Sequence, residues 1–123
     1  MSKQKITRVE KPWGHELIWG KTDDYVGKLL FIKKGHKLSL QYHQVKEETI
    51  FLQNGLMTFV FENDQGDLEN IILRPGDAHH IPTGRKHRMV AEEDCTVFEV
   101  STNHLDDVVR LEDGYGRVGT SKA

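Results

Sequence analysis

Thiol is nearly absent from this chain, with Cys95 its only cysteine. That excludes an internal disulfide and any thiolate metal cluster, so a metal bound here must take nitrogen and oxygen donors. Long hydrophobic runs are also missing. None approaches the roughly 20 apolar residues that a membrane-spanning helix needs. Charge of one sign does not dominate either: 29% of the 123 residues are charged, yet the formal net charge is −2. The basic footprint of nonspecific nucleic-acid binding is therefore lacking, and the reading is no nucleic-acid partner and no membrane. The first ten residues are polar and carry no apolar signal-peptide core, so the expectation is a soluble cytoplasmic protein. The length suits one domain.

What the chain does have is short apolar or alternating runs cut by turn residues, the pattern of a β protein. Strands are expected at Glu16–Trp19, Lys28–Ile32, Lys37–His43, Thr49–Leu52, Met57–Glu62, Leu68–Leu73, Ala78–Ile81, Arg88–Ala91 and Thr96–Ser101. Asn54-Gly55, the stretch 63–67 and Arg74-Pro-Gly-Asp77 supply hairpin turns. About nine short, closely spaced strands fit a double-sheet jelly roll or another closed β architecture that protects its edges. Residues 104–110 read as one or two helical turns, and 118–123 as a fraying tail.

Two glycine-punctuated segments carry candidate metal ligands. One runs from Gly35 through Gln41, His43 and Glu48 to Gly55, and the other from Gly76 through Pro82 and Gly84 to His87. Side chains alternate along a strand, so Ser39, Gln41 and His43 share one face and Leu38, Leu40 and Tyr42 the other. Glu48 then opens the returning strand, with Glu47 as the substitute if the register differs. Taken singly, each His or Glu is more often a solvated or hydrogen-bonded residue than a ligand; it is the joint spacing that points to a metal site. One amide, two imidazoles and a carboxylate suit a single divalent ion of the Zn, Mn, Fe, Co or Ni group, with positions left open for water or substrate.

The paired segments resemble the two motifs of the cupin superfamily. Lys11-Pro-Trp-Gly-His-Glu16, Lys28, Leu38-Ser-Leu-Gln-Tyr-His43, Glu48, the run 81–88 and the run 109–117 further resemble the type II mannose-6-phosphate isomerase domain, in which a glutamine at the Gln41 position is usual. The resemblance spans roughly residues 8–117. It implies an all-β, single-domain cupin jelly-roll barrel of antiparallel strands: an N-terminal arm 1–24, a core of about 25–101, a C-terminal segment 102–117 and the tail. It also implies an isomerase-like cupin standing alone, since family members often carry an attached nucleotidyltransferase domain.

On that footing the metal ligands are Gln41, His43, Glu48 and His87, and the substrate a sugar phosphate. The reaction would be aldose–ketose isomerisation through an enediol, with Glu48, Lys28 or a cavity histidine moving the proton. Substrate contacts fall to Lys28, Arg117, Tyr115 and His79, with His15 as an outside candidate. The plainer alternatives are a surface Lys28, an Arg117 that pins the C-terminus through carboxylates, and Trp13, Trp19 and Tyr25 as core rather than sugar platform. Two other functions stay open: a non-haem metal dioxygenase, and a non-catalytic metal-dependent sugar- or metabolite-binding module. A homodimer is expected from the need to cover exposed strand edges.

Overall fold

The computed structural model describes residues 3–121, all in strands, turns and loops, with no helix among them. The strands in chain order are β1 (Thr7–Lys11), β2 (Gly14–Lys21), β3 (Tyr25–Ile32), β4 (Leu40–Tyr42), β5 (Glu48–Asn54) and β6 (Met57–Glu62). They continue with β7 (Leu68–Leu73), β8 (Ala78–Ile81), β9 (His87–Ala91), β10 (Cys95–Thr102), β11 (Val108–Glu112) and β12 (Gly119–Ser121). Two six-stranded antiparallel sheets result, ordered β1-β2-β3-β10-β5-β8 (sheet 1) and β12-β11-β4-β9-β6-β7 (sheet 2). This is the double-sheet jelly roll, one of the closed β architectures that the short strands suggested and the one that the cupin resemblance implied.

Period-two patterning explains the packing. In β6, Met57 and Phe59 are fully buried while Thr58 and Val60 alternate outwards, and β10 buries Cys95 and Val97 in the same phase. These side chains meet Trp13, Leu30, Ile32, Ile50 and Leu52 in one core between the sheets. Turns stop the strands by identifiable chemistry. Gly55 has a φ of 104°, and a Cβ there would lie 2.3 Å from the carbonyl oxygen of Asp94, so only glycine fits. The Asn63 side-chain oxygen accepts from the Gln65 and Asp67 amides and builds the β6–β7 turn.

Three expectations are corrected. Residues 104–110 form no helical turns: they make a turn followed by β11, whose backbone pairs with β4 and β12. Tertiary pairing outweighs the local helical pattern there. The tail does not fray throughout, because Gly119–Ser121 are β12, while residues 122–123 lie outside the described residues. Lys37–His43 is a regular strand only at Leu40–Tyr42, with Lys37 in an isolated bridge to Val90. Leu38, in the core, and its neighbour Ser39 are both buried just before β4, so the expected strict alternation fails at that point.

Candidate metal centre

Neighbouring strand ends converge to build the site. Gln41 on β4 lies directly opposite His87 at the start of β9, and Glu48 opens β5. The 43–48 loop is fastened from two sides. Asp107 places its carboxylate on the amides of Gln44, Val45 and Lys46 at 2.7–2.9 Å, while Thr83 donates to the carbonyls of Val45 and Lys46. Burial raises the Asp107 carboxyl, but those three amide donors and nearby His43 more than offset it and hold the group below the ordinary aspartate range.

Backbone carbonyls fix the two imidazoles. His43 Nδ1 donates to the Asp107 carbonyl at 2.5 Å and His87 Nδ1 to the Arg85 carbonyl at 2.9 Å. A carbonyl only accepts, so the proton sits on Nδ1 in each ring and the Nε2 lone pair is left to face inwards. Each Nε2 lies 3.5 Å from one Glu48 oxygen, and the donor atoms of all three residues lie within 4.8 Å of one another. That spacing is too long for a charge-assisted hydrogen bond. It matches the roughly 3.4 Å separating neighbouring donors when bonds of about 2.1 Å point tetrahedrally at one ion. His43 Nε2, His87 Nε2 and Glu48 Oε2 are all buried without a hydrogen-bond partner. Unsatisfied buried lone pairs aimed at one point are what a cation requires, so the residues fit a divalent metal.

A buried chain of alternating charges runs on from Glu48. Lys46 Nζ is 3.0 Å from Glu48 Oε2, as an ion pair out of line for a hydrogen bond, and donates to Glu99 Oε2 at 3.3 Å. Lys28 Nζ lies 3.8 Å from the same Glu99 oxygen and donates to Glu16 Oε1 at 3.3 Å. All five residues are at most 5% exposed. Burial alone would raise the Glu48 carboxyl, yet Lys46 first, and then the two imidazoles, hold it well below the ordinary range. Burial likewise pulls the Lys46 ammonium down, but Glu99 and Glu48 outweigh that and keep it above its usual value.

This chain lines a cavity of about 30 Å³ that also receives Gln41, Trp13, Lys11, Arg110 and Arg117. With five cationic and three carboxylate side chains, the wall carries a formal surplus of two positive charges. A larger cleft of about 410 Å³ opens between β6, β7 and β8 and is lined by His87 together with Phe59, Phe61 and His79.

The sequence-derived candidates separate accordingly. His43, Glu48 and His87 come together, and Gln41 lines the cavity that Glu48 also lines, its amide oxygen accepting from Ser39 Oγ at 2.6 Å. Lys28 and Arg117 line that same cavity, and the Arg117 guanidinium is also held by Asp113 at 2.8 and 3.2 Å. Tyr115 stands under Arg117, its ring centroid 5.6 Å from the guanidinium carbon, with its hydroxyl 2.7 Å from His36 Nδ1. His79 belongs to the other cleft, where its ring packs against Phe59 and Phe61 and burial holds it below the ordinary histidine value. Glu47 is exposed and pairs with His80, which leaves Glu48 as the inward carboxylate. His15 stacks on Phe31.

Sequence reasoning does not single out Lys46, Glu99 and Asp107, and it assigns Glu16 no role. For Glu99 a signal existed: it is in phase with Cys95 and Val97, the buried side of β10. Lys46 lies in a loop, where no periodicity reveals burial.

Fold and site together define a cupin, a β-barrel with a histidine–carboxylate cluster that could hold a metal ion. More narrowly, the chain belongs to the mannose-6-phosphate isomerase C-terminal family, whose model matches residues 1–113. The xanthan biosynthesis protein XanB of Xanthomonas campestris is 30% identical over 115 residues, covering 89% of this chain and 24% of that protein. The chain thus spans about a quarter of the length of that relative. Among solved structures, KdgF from Halomonas sp. superposes with a TM-score of 0.70 at 22% identity, covering 82% of this chain and 89% of its own. The capsular polysaccharide assembling protein CapF of Staphylococcus aureus superposes at 0.77 with 18% identity, over 88% of this chain and 32% of its own. These structural likenesses show the fold. No helix of the described residues is long and apolar enough to cross a membrane.

Proposed function

We propose that this cupin is a divalent-metal-dependent aldose–ketose isomerase acting in the cytoplasm on a sugar phosphate of the mannose 6-phosphate kind. The observation that carries the reading is the junction of the His43–Glu48–His87 trio with a cavity whose wall has surplus positive charge. Gln41 completes the ligand set. The names of the xanthan and capsule proteins, both concerned with polysaccharides, support sugar chemistry as the setting. A divalent ion held by these residues would polarise the substrate carbonyl and acidify the neighbouring C–H.

The proton that moves between C1 and C2 needs a base on the chain. Glu48, held well below the ordinary carboxylate range, serves as ligand rather than base. Glu16 and Glu99 line the same cavity and flank Lys28, so the exchange falls to one of these carboxylates, with the Lys28 ammonium balancing the charge that develops. Arg117 and Lys11 supply cationic contacts for the phosphate.

The test is reconstitution of the protein with Zn, Mn, Fe, Co or Ni, followed by assay of mannose 6-phosphate for conversion to fructose 6-phosphate. Formation of no fructose 6-phosphate with any of them overturns the reading. The small volume of the cavity favours a second reading, oxygen chemistry on a small ligand, which oxygen uptake by the Fe(II)-loaded protein would reveal.

A further inference from the structure

Four consecutive amides run through the loop between His43 and Glu48, and each is donated to a side chain from a later part of the chain. Gln44 donates to Asp107 Oδ1, Val45 and Lys46 to Asp107 Oδ2, and Glu47 to Thr102 Oγ1 at 3.2 Å. Three charge-assisted bonds to one carboxylate fix the path of the loop. The main chain of the same residue holds an imidazole, since the Asp107 carbonyl accepts from His43 Nδ1. One residue thus grips both the ring at the start of the 43–48 segment and the amides that lead into Glu48.

Asp107 is itself anchored in sheet 2. Its amide donates to the His104 carbonyl at 3.2 Å, and the next residue, Val108, opens β11. β11 pairs with β4, setting Val109 opposite Tyr42 and Arg110 opposite Gln41. The segment from Asp107 into β11 therefore underlies Gln41, His43 and Glu48 together. His87 differs: its Nδ1 donates to the carbonyl of Arg85, two residues before it.

We propose that Asp107 is a positioning residue of the metal centre, holding His43 and Glu48 in ligating geometry and so coupling the docking of β11 to metal affinity. The proposal rests on the His43–Glu48–His87 site and not on the reaction carried out there. An imidazole no longer held at Nδ1 turns about its side-chain bonds or shifts its proton to Nε2, and either change removes the lone pair that faces Glu48. Freeing the 44–46 amides also adds backbone freedom between two ligands, freedom that binding an ion must then remove. The coupling is reciprocal: an ion held by His43 resists the undocking of β11, because one hydrogen bond serves both. Asp107→Asn does less harm than Asp107→Ala. With its oxygen at the Oδ2 position, Asn keeps the Val45 and Lys46 bonds and loses the one to Gln44, where its NH2 group meets an N–H.

Calorimetric titration of the metal-free protein with Zn, an ion high in the affinity order for nitrogen and oxygen sites, tests this together with nitrogen-15 NMR of the two imidazoles. Asp107→Ala raises the Zn dissociation constant roughly 10-fold or more, and Asp107→Asn raises it less. In the metal-free wild type His43 shows one tautomer, with its proton on Nδ1. In metal-free Asp107→Ala the carbonyl remains but is no longer held against the ring, so His43 shows a mixture while His87 keeps its single tautomer. Gly35→Ala destabilises the fold through a φ of 83°, with open space around the added Cβ, and leaves Zn affinity unchanged. Should Asp107→Ala fail to fold, the Asn variant carries the reading through its weaker Zn binding. A wild type that binds no Zn overturns both this proposal and the metal site. Zn binding in the Asp107 variants as tight as the wild type's, a His43 that keeps one tautomer in Asp107→Ala, or an equal loss of affinity in Gly35→Ala overturns this proposal alone.

Discussion

Removing the one negative charge among the three converging donors should abolish metal stabilisation of the fold. Glu48→Gln keeps the size of the side chain and withdraws the carboxylate that faces both imidazoles at 3.5 Å. For the wild type, metal at a hundred times its dissociation constant adds about 2.7 kcal/mol to stability. In a domain of this size that raises Tm by roughly 10 °C. Losing a partner one shell further out typically costs 10–100-fold in metal affinity, so losing a ligand should cost about 100-fold or more. At the same free metal concentration the variant then gains only about 0.4 kcal/mol, a shift of roughly 1–2 °C. Differential scanning calorimetry of each protein, chelated and then titrated with Zn, Mn, Co and Ni, reads both numbers against the protein's own metal-free form. A wild type that no ion stabilises, or a variant stabilised as much as the wild type, would refute the assignment of these residues as ligands.

Lys46→Met leaves Glu48 and Glu99 buried without their shared cation, and should cost about 3–5 kcal/mol in metal-free urea denaturation. Asp107→Ala releases the 44–46 amides and should cost about 1–3 kcal/mol near neutral pH. Because the native Asp107 carboxyl titrates below its unfolded value, this contribution is present above about pH 4 and disappears as pH falls through the native titration, so wild type and variant converge in acid. Gly55→Ala drives a Cβ into the Asp94 carbonyl and should cost more than about 2 kcal/mol in thermal unfolding, whereas Gly35→Ala, with φ 83° and open space around it, should cost about 1 kcal/mol. Should Glu99 be the base, Glu99→Gln lowers kcat in the mannose 6-phosphate assay while metal affinity, read by calorimetric titration, is retained.

The β class and most strands were legible because period-two alternation and turn chemistry are local. Met57–Glu62, Leu68–Leu73 and Ala78–Ile81 appear with the expected bounds. β1, β11 and β12 were not, since each is held by pairing with a distant or later strand rather than by its own pattern. Residue type and spacing likewise selected His43, Glu48 and His87, while the choice of Glu48 over Glu47 needed the register that pairs Glu48 with Ile81.

The sequence by itself determined a cysteine-free donor set, the turns and the alternating strands, because these depend on side-chain chemistry and on neighbours a few residues away. Only the tertiary structure decided the rest. It set the tautomers of His43 and His87 through carbonyls of other segments, and it buried the charges from Glu16 to Glu48 in one line. It also turned Trp19, Tyr25 and Phe51 outwards on one sheet. Burial and facing are properties of packing between segments far apart in the chain, and no local pattern carries them.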